Sequence, residues 1–164
     1  MSNYWNIPGI PHKGWILMDV IDVREEGQSE WETDYETCMM CGNERIRYIH
    51  LVEHKEVAEE FRVGCICAER MTNDYVNPKH REKKLRNKSV RRTNWIQKEW
   101  KVSRKGSYYF KKDEHILTIF LDKKSNDYKC VIDKTFGTKL YKTLSEAKAH
   151  LFNKIEDMRE KGQW

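Results

Sequence analysis

Four of the chain's five cysteines fall in two tight pairs, Cys38-Met-Met-Cys41-Gly and Gly-Cys65-Ile-Cys67-Ala. A C-x-x-C followed by glycine has the spacing of a knuckle, in which a tight turn aims two thiolates and the neighbouring amides at one metal ion. Glycine then accepts the positive φ that closes the turn. The second pair follows 23 intervening residues, at a strand end and the start of a helix. Knuckle, hairpin and helix start, in that order, describe a treble-clef-like finger, and Cys38, Cys41, Cys65 and Cys67 are the expected ligands of a structural zinc ion. C-x-C is tighter than the C-x-x-C usual for the helix-borne pair. Both thiols reach one ion if Gly64 lets Cys65 end the strand while Cys67 begins the helix. His50 or His54 in place of Cys65 stays open as an alternative. Arg45, Arg47 and Arg62 suit the negative charge of a four-thiolate centre.

Other chemistries fit the same residues less well. Disulfides are disfavoured by the odd cysteine count and the clustering, which in a reducing compartment point to metal. A redox C-x-x-C belongs at a helix N-terminus after a strand, but this one follows an acidic loop and precedes a strand. His50-Leu-Val-Glu-His54 matches the H-x-x-E-H of inverted zinc proteases, which needs a helix to bring both histidines to one face; its context is β-patterned. No H-x-E precedes a P-C-x-x-C, as a zinc deaminase requires. No carboxylate pair, nucleophile with a base, or glycine-rich phosphate loop stands out, so a non-enzymatic protein is expected. Cys130 reads as a buried, inert thiol in mid-strand. His12, His80, His115 and His150 are isolated and read as surface or hydrogen-bonded residues.

Charge is segregated along the chain. Residues 1–78 carry 7 Lys/Arg and 15 Asp/Glu, residues 79–112 carry 14 and 2, and residues 113–164 carry 10 and 9, for nets of −8, +12 and +1. Like charges at i, i+4 repel, so the basic segment carries a cost that contact with a polyanion would offset. The residues expected to contact phosphates are Arg81, Lys83, Lys84, Arg86, Lys88, Arg91, Arg92, Lys98, Lys101, Arg104 and Lys105. The expected partner is nucleic acid, with DNA or RNA undecided; the alternative is a protein-interaction adaptor whose basic helix docks an acidic protein or nucleoprotein. No apolar stretch approaches the roughly 20 residues that span a bilayer, so a cytoplasmic protein without a membrane partner is expected.

The elements that must position these residues follow from periodicity. Gly14 to Val23 is apolar at both parities and reads as a two-sided strand; the acidic Glu25 to Thr37 reads as a surface loop. Arg45 to Val52 alternates, with Ile46, Tyr48, His50 and Val52 on one face, and Phe61 to Val63 closes a hairpin before a short helix beginning in CICAERM. From Pro78 a basic helix extends towards Lys101, anchored along a thin stripe of Leu85, Ser89, Arg92, Ile96 and Trp100. Strands are expected in GSYYFKK, HILTIFLDK and YKCVIDK, with a fourth at TKLYK; the intervening turns lie at Asp113-Glu114 and Ser125 to Asp127. Thr143 to Glu146 is a capping box opening a helix whose Leu144, Ala147, Leu151, Ile155 and Met158 face the sheet. Tyr108, Tyr109 and Phe110 follow Arg104 and Lys105, so cations beside aromatics could stack bases; Tyr109 is assigned to the core. A helix, three strands and a helix is also the order of double-stranded-RNA-binding domains, but the Gly/Ser-Lys-Lys start of their last helix is absent.

The motifs IPHKGW, C-x-x-C-G-N with IRYIH, VGCICAERMTNDYVNP, KLRNK with the following RR, W and EW, and SEAKAHLF run from about Ile7 to the last helix. On them the chain resembles a family of small uncharacterised bacterial zinc-binding proteins. The resemblance implies zinc binding and no catalytic residue. The expected fold is α+β: an N-terminal strand and treble-clef-like zinc module over 1–78, a basic linking helix over 79–104, and a three- to four-stranded antiparallel sheet covered by a helix over 105–164.

Overall fold

In the computed structural model, which describes residues 3–164, the chain is α+β, with antiparallel sheets of three and five strands and three α-helices among the described residues. They form two units, one ending at Lys88 and the other spanning Ser89–Trp164. No helix is long and apolar enough to cross a membrane.

In the first unit β1 (Ile16–Asp22), β2 (Tyr48–Glu53) and β3 (Phe61–Val63) pair in that order. The two parities of the first strand have a structural cause besides burial on two faces. Leu17 pairs with Val52 and Asp19 with Leu51, so Met18 is an extra residue in a β-bulge. The bulge reverses the alternation, which lets Leu17 and Val20, of opposite parity, both oppose the buried face of β2. Ile16 and Met18 stay exposed, while Ile21, on the face opposite Val20, is half-buried against the fully buried Ile49. The buried set around Trp15, Met40, Val52, Phe61, Val63 and Met71 also holds Cys38 and Cys67.

Helix α1 (Cys65–Thr72) starts after Gly64 and ends at Asn73, whose φ of 52° is the left-handed cap asparagine tolerates. Asp74 then opens α2 (Asn77–Gln97): its carboxylate accepts from the amides of Val76 and Asn77, both at 2.9 Å. Pro78, in the first turn where its missing N–H costs nothing, is fully buried. The Leu85, Ser89, Arg92 and Ile96 stripe is half-buried. The helix stops at Gln97, short of the expected end. Beyond it Trp100 enters the second unit's core, and the buried Lys148 donates to the carbonyls of Lys98 (2.8 Å) and Ile96 (3.3 Å). A lysine on terminal carbonyls satisfies acceptors the helix leaves open.

The second unit orders β4 (Lys101–Val102), β5 (Tyr108–Lys112), β6 (His115–Leu121), β7 (Tyr128–Ile132) and β8 (Thr135–Phe136) as a meander. The fifth strand arises where helix was expected, because a turn closed by Gly106 (φ 82°) folds Lys101 back onto Tyr109. The expected strand at TKLYK comes earlier: Asp133, at φ 54°, makes a tight turn that pairs Phe136 with Val131, and Tyr141 makes only an isolated bridge to Tyr128. Helix α3 (Leu144–Glu160) begins at Thr143, whose Oγ1 accepts from Glu146 N at 3.1 Å. Glu146 reaches back to Lys142 N, one residue before the usual capping-box partner. Ala147, Leu151, Phe152 and Ile155 pack with Trp95, Trp100, Leu117, Ile119 and Cys130.

Candidate metal centre and basic surface

The knuckle forms as its spacing requires. Cys38 N donates to Asn43 O and Gly42 N to Cys38 O, both at 2.8 Å, with Gly42 at φ 75°. Met39 N donates to Arg62 O, tying the turn to β3. The same strand leads into α1, which brings Cys67 to the knuckle. The sulfurs of Cys38, Cys41 and Cys67 lie within 4.8 Å of one another, and this group could hold a metal ion. About 2.3 Å from each sulfur to a tetrahedral zinc ion implies about 3.8 Å between sulfurs, so a small contraction would suffice.

Two donors support the sulfurs. Gly64 N donates to Cys38 Sγ and Trp5 Nε1 to Cys67 Sγ, each at 3.4 Å. A hydrogen bond from the Cys67 thiol, with help from the amides of Cys41, Gly64 and Met40, holds Cys38 down to about 5; the same bond and burial raise Cys67. Cys38 is thus favoured as the anion and Cys67 as the thiol that donates to it. Trp5 carried no signal in the sequence, since nothing in its local pattern points towards a residue 62 positions away.

Cys65, expected as the fourth thiolate, lies outside this group. The helix begins at Cys65 itself with Gly64 as its cap, whereas the expectation had Cys65 closing the strand. Once both thiols are helical, i and i+2 stand about 200° apart around the axis and cannot converge on one ion. Cys65 Sγ instead meets Glu69 Oε1 at 3.6 Å, and burial, followed by the nearby Glu82 and Glu69, pushes its thiol up to about 12. The histidine alternatives also lie elsewhere. His50 is fully buried on β2 with Nε2 3.3 Å from Pro78 O, while His54 Nδ1 accepts from Glu56 N at 3.0 Å. HLVEH therefore runs along a strand and just beyond it, not along a helix face. Arg47 and Arg62 pair with Asp22 and Glu36, and Arg45 with Glu30, so all three face carboxylates.

The basic residues separate by commitment. Arg81 donates to Met18 O, Arg86 lies over the Tyr48 ring and 3.9 Å from Glu82, and Arg91 pairs with Glu156 at 3.0 Å. Lys98 sits 4.4 Å from the Phe110 ring centroid. Arg92 is half-buried in the anchored stripe. Lys101, Arg104 and Lys105 lie on β4 and in the turn after it, all exposed. Lys83, Lys84 and Lys88 have no ion-pair partner among the described residues. Arg81, Lys84 and Lys88 share one helix face by their i, i+3, i+7 spacing, over about 10 Å of axis.

No family model, curated protein or solved structure matches this chain.

Proposed function

We propose that the protein is a non-enzymatic, zinc-stabilised nucleic-acid-binding protein whose helix α2 contacts phosphates. The observation that carries this reading is the face of Arg81, Lys84 and Lys88, on a helix with Glu82 as its only acidic residue. Leaving lysines unpaired at such spacing costs stability, and phosphates with counterion release offset the cost. Zinc on Cys38, Cys41 and Cys67 suits a thiolate set, and as a structural ion it would fix the knuckle to β3 and α1, the frame from which α2 departs. The family resemblance favours the same metal.

Fluorescence anisotropy with labelled duplex DNA, single-stranded DNA and RNA, at low and near-physiological salt, tests the reading. Wild type should bind with a steep salt slope, and Lys84→Glu/Lys88→Glu should bind more weakly with a slope shallower by roughly 1 to 2. Unchanged binding by that variant would contradict phosphate contact through α2. Absence of binding to every polymer would move the basic helix to an acidic protein partner.

A further inference from the structure

The five-stranded sheet of the second unit packs one face on α3, while on the other face Val131 alone among the strand residues is buried. Tyr108, Phe110, Leu117, Ile119, Cys130 and Ile132 belong to the core with α3. Side chains alternate along a strand, so Tyr109, Lys111, Ile116, Thr118, Phe120, Lys129 and Val131 stand on the opposite face. Tyr109, assigned to the core from the sequence, is thus an outward residue. Register places Lys101, Tyr109, Thr118, Val131 and Phe136 in a single row across all five strands. Phe120 meets Phe136 edge-on with centroids 6.2 Å apart, which places both rings on that side.

This face combines three rings with lysines. Phe136 is 66% exposed and Ile116 48%; Lys101 and Lys111 are exposed, and Tyr109 and Phe120 are half-buried. No Asp or Glu lies within these strands; at their ends Asp122 lies 3.8 Å from Lys129, and Asp133 Oδ1 accepts from Ile116 N at 2.9 Å. At about 4.8 Å per strand, Tyr109 and Phe136 are roughly 14 Å apart, with Phe120 between their strands.

We propose that this outward face binds single-stranded nucleic acid, with bases stacking on Tyr109, Phe120 and Phe136 and phosphates meeting Lys101, Lys111 and Lys129. A single strand offers regular negative charge together with free planar faces. A duplex hides its base faces within its own stack, and an acidic peptide brings charge without a ring at each step. The inference goes beyond the contact assigned to α2, and apart from Lys101 it stands on other residues.

The test uses the full chain with a labelled oligo(dT) and the oligo(dA)·oligo(dT) duplex of equal length. Wild type should prefer the single strand. Phe136→Ala should weaken single-strand binding about 5- to 150-fold with an unchanged salt slope, because stacking releases no counterions. Phe136→Trp should restore the affinity, and Phe136→Leu, which keeps apolar area without a π face, should not. Tyr109→Ala, checked for native circular dichroism, should show the same loss. Full single-strand affinity in a folded Phe136→Ala/Tyr109→Ala variant would overturn the inference, as would equal rescue by leucine. Binding to duplex alone would overturn it while leaving α2 as a phosphate contact. Single-strand binding lost in the sheet variants but kept, with its slope, in Lys84→Glu/Lys88→Glu would support the sheet and remove α2. No binding to either probe would overturn both.

Discussion

In the unit ending at Lys88 the buried positions include Cys38, Cys67, His50 and Glu69, whereas in Ser89–Trp164 the buried charged residue is Lys148 and the core is mostly aromatic and aliphatic. The first unit's sulfurs meet at a point that repels itself once they ionise. The second unit's one buried cation is absorbed by carbonyls of Ile96 and Lys98. The contrast lies in what each core gathers: sulfurs that could hold a metal ion in the first, aromatic rings in the second. An ion would complete the first core, while interlocking rings and α3 complete the second.

The largest expected effect divides the units. A chelator or Cys38→Ser should abolish amide protection in β2, β3 and α1 while β6 and β7 stay protected, a loss on the order of 10 kcal/mol for a structural zinc ion. Hydrogen exchange read element by element checks this, and uniform loss across both sheets would break the contrast. The converse change is smaller. Leu151→Ala, at a side chain 1% exposed, should cost the second unit about 2–5 kcal/mol in a denaturant melt and leave metal content unchanged. Thr143→Ala removes the cap of α3 and should cost about 1 kcal/mol, again with metal retained.

The smallest effect concerns pH. Burial, then Lys139 and Lys154, lower His150 from its ordinary 6.5. The unfolded chain then binds the proton more readily, so this contribution to stability is present above about 6.5 and is lost as pH falls towards the folded value. Thermal melts should show a decline of the second unit over that window that His150→Gln removes.

The comparison also separates what could be read from the sequence. Cys38-x-x-Cys41-Gly announced its turn because the spacing alone dictates it, and α3 announced its buried face through a 3.6-residue period. Which of Cys65 and Cys67 joins the knuckle was not legible, because i and i+2 are equivalent in a strand and opposed in a helix, and the element boundary falls on Cys65. The bulge at Met18 was hidden for a related reason, as one inserted residue exchanges the parities that pattern reading depends on. Tyr109 sits among three consecutive rings, and only pairing with Thr118 decides which of them faces out. Trp5 reaches Cys67 through tertiary folding that no local pattern encodes.

Elemental analysis of full-length wild type beside Cys67→Ser and Cys65→Ser tests the centre most directly. The account predicts one zinc per chain in wild type and in Cys65→Ser, and none in Cys67→Ser. A metal-free wild type, or equal loss in both variants, would contradict a centre built on Cys38, Cys41 and Cys67.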